Sequence, residues 1–325
     1  MKFNRYVRKV KIMLRGAVYS VLFKLCHPKG FKQKDALIIL GSTRSGSTWL
    51  AELVSSLDGH LQVFEPMNTD YVKSARKAGI VRNMYLEKHA DWPEGERFFS
   101  RVLSGKVINP WTACQMSLTK IFKAKRLVVK FVRANMLTEW LANNIEMKTP
   151  AMVIRHPCAI IASQLQKGWA PSKTVLLSNP YFDHRAELKS RCMSFDKPEE
   201  RAALAWCVRY HAPLTLDKPV PFILVCYERL VRDGETEIRK LFNAWDLPVT
   251  EQVLAQLVKP SDTVTSSSQV VSGKDPLEGW RKTLNQQQIE NIMNVLAAFD
   301  MDFYSSELEP DYRKLETFFS NDVCH

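Results

Sequence analysis

Ala36–Leu40 reads ALIIL, and the next ten residues read Gly41-Ser42-Thr43-Arg44-Ser45-Gly46-Ser47-Thr48-Trp49-Leu50. The first run is short, apolar and rich in β-formers, which predicts a strand. A helical stretch, Thr48–Leu57, follows the Gly/Ser turn. Strand, glycine loop and helix in that order make a cradle for an anion. Glycines let the backbone come close, and exposed N–H groups and the helix dipole attract negative charge. Ser47 and Thr48 add hydroxyl donors. A loop of the GxxxxGK[ST] type would carry Lys directly after its second glycine. Ser47 stands there instead, and the cation, Arg44, comes two residues before the glycine. No predicted strand ends in the Asp that would hold magnesium. The loop suits a phosphate-like anion without γ-phosphate and metal chemistry.

Further along the chain the same alternation continues. Asp58-Gly59 turns the chain into a second strand, Leu61–Phe64, which ends at Glu65-Pro66. Leu127–Val132, Ala151–Ile154 and Pro221–Cys226 read as three more strands. Helical patterns lie between them at Leu137–Glu146, Pro157–Leu165, Glu199–His211 and Glu235–Trp245. This alternation predicts an α/β fold, a parallel sheet with helices on both faces. Such sheets bind ligands at the carboxyl ends of their strands, here Gly41, Glu65, Arg155 and Tyr227-Glu228. Asp70–Gln115 and Gly168–Pro198 do not fit the sheet. Asp70–Gln115 is long and mixed, with Pro93, Gly105 and Pro110, and Gly168–Pro198 is polar and loop-like; long insertions at the ligand end are the usual place for acceptor recognition.

The chain has 325 residues, 46% apolar and 25% charged, enough for one large domain with a sizeable core. Its net charge of +12 is concentrated in one place. Residues 1–34 hold ten Lys/Arg and no Asp or Glu, which leaves 36 basic against 34 acidic residues in 35–325. The body is nearly neutral, so nucleic acid is not expected as a partner. We divide the chain into a basic amphipathic arm, 1–34, and a catalytic domain, 35–325. In the arm Phe3, Val7, Val10, Leu14, Ala17, Val21 and Leu25 recur at helical spacing. Its longest uncharged run, Gly16–Phe23, is too short to span a bilayer. Residues 1–25 suit an anionic membrane surface, a seat on the protein's own body, or a homo-oligomer contact. The seven cysteines show neither CxxC nor metal-ligand spacing, and no Asn-x-Ser/Thr site occurs. A reducing, cytoplasmic setting is expected, with the protein peripheral on a membrane if the arm docks there.

At the loop the reading becomes a resemblance. Thr43-Arg44-Ser45-Gly46-Ser47-Thr48-Trp49-Leu50 resembles the 5′-phosphosulfate loop P-[KR]-[ST]-G-[ST]-T-x-L of the PAPS-dependent sulfotransferase family, PAPS being 3′-phosphoadenosine-5′-phosphosulfate. Thr43 replaces the Pro, and Arg44 supplies the basic residue. Val153–Ser163, VIRHPCAIIAS, is similar to the family's 3′-phosphate element R-[DN]-P-x-x-x-x-x-S, with His156 where Asp or Asn is usual. An Arg at a strand end offers a planar fork for phosphate, although such residues often only form salt bridges. Val225–Leu230 with Leu247-Pro248 resembles the YExL strand end and its helix. Ser272-Gly273-Lys274 through Gly279-Trp280-Arg281-Lys282-Leu284 resembles the loop that covers the nucleotide. The resemblance spans about residues 36–305.

It implies a P-loop-like sulfotransferase fold and a donor, PAPS, that needs no metal. Arg44, Ser45, Gly46, Ser47, Thr48 and Trp49 would hold the 5′ end. Arg155, Ser163, Tyr227, Ser272, Gly273 and Lys274 would complete the nucleotide site. Trp280 would pack near the purine or anchor its loop. Sulfuryl transfer is in-line displacement, governed by positioning and electrostatics, with a base for the acceptor. Arg44 is the candidate cation at the leaving phosphate. The phenol-sulfating branch uses a Lys-x-His element, and none lies between Glu65 and Leu127. The carbohydrate and tyrosylprotein branches use a Glu soon after the loop helix, and Glu65 occupies that place. The base is therefore expected to be Glu65 and the acceptor a carbohydrate or glycolipid hydroxyl. Lys130 and Arg133 are expected either at the sulfuryl group or as plain surface cations, with His184 a more distant candidate. A P-loop kinase, or a nucleotide-binding scaffold on a membrane surface without turnover, remains the alternative.

Overall fold

Five apolar runs form five strands: β1 (Leu37–Gly41), β2 (His60–Phe64), β3 (Arg126–Phe131), β4 (Ala151–Ile154) and β5 (Ile223–Cys226). The structure is a computed structural model and describes residues 2–217, 219–259 and 275–319. The strands make one sheet in the order β2-β3-β1-β4-β5, and every pairing is parallel. The first helices are α1 (Lys2–Cys26), α2 (Ser47–Ser56), α3 (Lys73–Lys77), α4 (Pro93–Leu103), α5 (Leu118–Lys123), α6 (Thr138–Asn144) and α7 (Pro157–Leu165). They are followed by α8 (Lys173–Leu177), α9 (Ala186–Arg191), α10 (Pro198–Leu214), α11 (Tyr227–Arg232), α12 (Gly234–Ala244), α13 (Glu251–Leu257), α14 (Gln286–Ala298) and α15 (Tyr312–Phe319).

Strand alternation sorts the core into two layers. Leu37 and Ile39 of β1, Val128 of β3 and Val153 of β4 face α2 and α12, where they meet Leu50, Val54, Ile238 and Phe242. Ile38, Leu40, Val129 and Met152 face the other way, onto Phe99 of α4, Trp140 of α6, Ile161 of α7 and Trp206 of α10. β1 is central and buried along its whole length. A strand covered on both faces needs an unbroken apolar run, which is why residues 36–40 do not alternate. Each such side chain contributes about 1.5–3 kcal/mol on burial. The chain runs from β1 out to β2, returns through β3, and crosses to β4 and β5. This reversal opens a crevice at the carboxyl end of β1.

The α/β class and the five strand positions agree with the sequence reading. Both insertions carry helices, and Gly168–Pro198 is therefore not the plain loop its polar sequence suggests. Asp70–Gln115 contains α4, with Pro93 in its first turn and Phe98, Phe99, Val102 and Leu103 buried. Gly168–Pro198 contains α8 and α9, five and six residues long. Helices that short show less than two turns of periodicity, so pattern alone does not reveal them.

Most of the arm is one helix, α1, which ends at Cys26 and packs on the body. Gly16, Ser20 and Phe23 are buried, and Phe23 belongs to the main core. Gly16 comes so close that a Cβ there would lie 1.9 Å from the carbonyl oxygen of Pro110. Val10, Leu14, Val21 and Leu25 of the expected apolar stripe face outward instead. Helical spacing identifies an apolar face and does not say which face is covered. No helix among the described residues is long and apolar enough to cross a membrane.

Candidate active site

β1 delivers Gly41 to the crevice, and α2 starts at Ser47. Gly46 takes the N-cap position in a left-handed conformation, φ 91°, and no side chain caps the helix. The first N–H groups of α2 are thus left for a ligand. Gly46 is also required by its neighbour, since a Cβ would fall 2.4 Å from the ring of Tyr227. Arg44 has φ 76°, which is unusual for a residue with a side chain. The Tyr210 hydroxyl accepts from Ser42 N at 3.2 Å and donates to Val153 O at 2.8 Å, which joins the ends of β1 and β4.

The second element meets the first here. Arg44 Nε donates to Ser163 Oγ at 2.9 Å, and Arg155 Nη1 donates to Arg44 O at 3.2 Å. The Arg155 guanidinium lies 4.0 Å from the centre of the Tyr227 ring. Its Nε is buried and has no partner among the described residues. Burial, and then the nearby Arg155, hold the Arg44 guanidinium below its ordinary pKa. Two crowded cations and an unpaired buried donor are what an anion would relieve.

Glu65 directly follows β2 with φ 41°, so both Arg44 and Glu65 hold sparsely populated backbone conformations at the cavity. Its N–H donates to Lys130 O at 3.1 Å, and its carbonyl accepts from Trp111 Nε1 at 3.2 Å. The register places Lys130 of β3 beside Phe64. The Lys130 ammonium lies 2.9 Å from Glu65 Oε1, 3.0 Å from Thr48 Oγ1 and 4.2 Å from the centre of the Phe64 ring. At 2% exposure Lys130 is no surface cation. It connects the helix of the anion loop to the candidate base.

Part of this set lines one cavity of about 640 Å³, which Ser163 itself does not border. Arg44, Gly46, Ser47, Thr48, Trp49, Glu65, Lys130, Arg155 and Tyr227 all border it. The Trp49 indole N–H is buried without a partner among the described residues. Lys167, just before the second insertion, Trp169 within it, and Leu257 of α13 form more of the wall. Sequence reasoning missed these, and it missed Tyr210, which carries no local signal.

Other candidates lie elsewhere. Ser45, within the loop, is buried and does not border the cavity. Trp280 is also buried and stacks on the His156 ring at 4.8 Å and 15°, so it anchors its loop and does not border the cavity. His184 is exposed and pairs with Glu87 at 3.8 Å. Arg133 donates to Met67 O at 3.3 Å. Ser272, Gly273 and Lys274 fall outside the described residues.

His156 does the work that an Asp or Asn would do in its place. Its Nδ1 accepts from Cys158 N at 3.1 Å and so caps α7, which leaves Nε2–H to donate to Ser305 O at 3.1 Å. Burial pushes its pKa down to about 3, so the ring stays neutral. Its own N–H donates to Glu228 Oε1 at 2.9 Å, and Tyr304 donates to Glu228 Oε2 at 3.0 Å. Burial raises the Glu228 pKa.

No family model matches the chain, and no curated protein matches its sequence. Solved structures do. The sulfotransferase domain of the Synechococcus PCC 7002 olefin synthase is similar at a TM-score of 0.46 and 18% identity, over 83% of this chain and 95% of that one. The sulfotransferase domain of the curacin biosynthetic pathway is similar at 0.43 and 15%, over 82% and 98%. A mouse sulfotransferase solved with PAP is similar at 0.43 and 12%, over 89% and 91%. Likenesses of this size do not say which reaction a chain performs. The chain resembles sulfotransferases of known structure, and its chemistry has to be read from its own residues.

Proposed function

We propose that the protein transfers a sulfuryl group from PAPS to a hydroxyl of a carbohydrate or glycolipid, with Glu65 as the general base. One observation carries this reading: Arg44 and Ser163, 119 residues apart on the two elements read as anion-binding, are joined by a hydrogen bond, and Arg44 borders a cavity that the Glu65 carboxylate also lines. The uncapped start of α2 suits the 5′ end of the donor, and Arg155 with Ser163 suits a second phosphate. Arg44 sits between them, so it serves either end. Lys130 lies between Thr48 and Glu65, where charge would gather on the group in flight.

The balance of the step is simple. The bond from sulfur to the bridging phosphate oxygen breaks, and that oxygen leaves with the electron pair. A bond from the acceptor oxygen to sulfur forms, and the acceptor proton passes to the Glu65 carboxylate. A carboxylate base suits a sugar hydroxyl. The described cysteines are all free, which supports a reducing, cytoplasmic setting.

The test is isothermal titration with 3′-phosphoadenosine 5′-phosphate, the desulfated product, with a chelator present and ATP as comparator. We expect clear binding of the bisphosphate and weak binding of ATP. ATP binding that depends on metal, with none of the bisphosphate, would overturn the reading in favour of a kinase.

A further inference from the structure

The outward face of α1 is apolar where a helix seated on a protein body is ordinarily polar. Val10, Leu14, Val18, Val21 and Leu25 are 39%, 63%, 57%, 57% and 72% exposed. At 3.6 residues per turn they share an arc of about 80°. Gly16, Ser20 and Phe23 fall on the opposite side and are buried against the body. The stripe therefore cannot be the seat of the helix. α5 lies against α1, where the His27 ring meets Ile121 O at 2.6 Å, and it exposes Leu118 and Phe122 at 43% and 60%. Seven of the twelve large apolar side chains exposed among the described residues thus lie on these two neighbouring helices. That is a patch, not scatter.

Charge decides what covers it. Lys11 and Lys24 are exposed and fall on the two sides of the stripe, and Lys123 is exposed on α5. Residues 1–34 contain ten Lys/Arg and no carboxylate side chain. Two copies paired about a two-fold axis would set these cations against each other. An anionic bilayer accepts both the apolar stripe and its basic flanks. We infer that the α1–α5 face docks the protein on an anionic membrane, with α1 lying in the plane of the interface.

The docking helix also touches the segment that supports Glu65. Gly16 packs on Pro110, and Arg15 Nη2 donates to Cys114 O at 2.6 Å. Between those two contacts, Trp111 Nε1 bonds to Glu65 O and Thr112 O accepts from Phe64 N at 2.9 Å. On the sulfuryl-transfer reading, on which this last step rests, a docked protein would meet acceptors presented at the lipid surface.

Flotation of the full chain with phosphatidylcholine vesicles, with and without phosphatidylglycerol, tests the docking without reference to catalysis. Binding is expected only with the anionic lipid. Leu14→Glu with Val21→Glu should lower partitioning by roughly 100-fold or more. Lys11→Gln and Lys24→Gln should each lower it by about 5-fold. Unfolding midpoints matching the parent establish that the variants are folded. Absence of wild-type binding, or equal binding by the folded double variant, overturns the inference. So does light scattering that shows a wild-type dimer which the double variant converts to a monomer, because the face would then belong to a second copy.

Discussion

Arg155 and His156 are consecutive residues at the end of one strand, and they meet different surroundings. His156 is buried with both ring nitrogens and its backbone N–H paired, stacked on Trp280 and linked through Glu228 to Tyr304. Arg155 borders the cavity with an unpaired Nε, crowded by a second guanidinium. A buried polar group with every bond made holds a fold in one arrangement. A buried donor left without a partner is costly, and it persists where a ligand completes it. For these two residues pairing separates scaffold from site more sharply than exposure does, since Lys130 and Ser47 at the cavity are nearly as hidden as His156.

The separation can be broken by mutation. The largest effect is expected at Glu65. Glu65→Gln keeps an oxygen for Lys130 to bond but removes the proposed base, and single-turnover transfer should slow by about 10²–10⁴-fold. Bisphosphate affinity should stay the same. If turnover survives, Glu65 belongs with the scaffold. Next is Arg155→Ala, which removes charged hydrogen bonds worth about 1.5–3 kcal/mol. Titration should show bisphosphate binding about 10- to 150-fold weaker, with the unfolding midpoint unmoved. A fall in midpoint without loss of affinity would place Arg155 on the wrong side of the comparison.

The smallest effect is at His156, and it should appear in stability alone. His156→Ala loses a helix cap and a ring stack, together about 1.5–2.5 kcal/mol. His156→Asn should recover the cap. The pH dependence carries a sign. The folded pKa lies near 3, below the ordinary 6.5, so the native state resists protonation that the unfolded chain accepts. The His156 contribution is therefore fully present above about pH 6.5 and is lost as pH falls toward 3. Denaturant titrations across that range should show wild type losing ground to His156→Asn. Parallel curves would mean that the ring is not held neutral by burial.

Much of this was legible from short range. The strand–glycine–helix run at 36–57 and the Arg-x-Pro start of α7 are local patterns, and both appear where expected. The remainder depends on contacts that no window of sequence contains. Tyr210 lies 168 residues from the Ser42 N–H that it receives. His156 as a cap is not apparent from a motif that expects Asp or Asn; its fitness comes from Ser305 and Trp280, far along the chain. Lys130 reads as one of two cations near a strand end, and only the register beside Phe64 places it under the loop helix. α1 announces an apolar stripe, and only the approach of Gly16 to Pro110 tells which side is free.

Lys130 has a consequence for what chemistry the position tolerates. An ammonium carries three protons in tetrahedral array. Here one points toward a hydroxyl, one toward a carboxylate, and the charge rests over an aromatic face. A guanidinium presents its donors in a flat fork and needs more room. Lys130→Arg, a change that preserves charge, would thus be a change of shape: the plane cannot serve Thr48 and Glu65 while also sitting above Phe64. At this position geometry, not valence, is the property that the site requires.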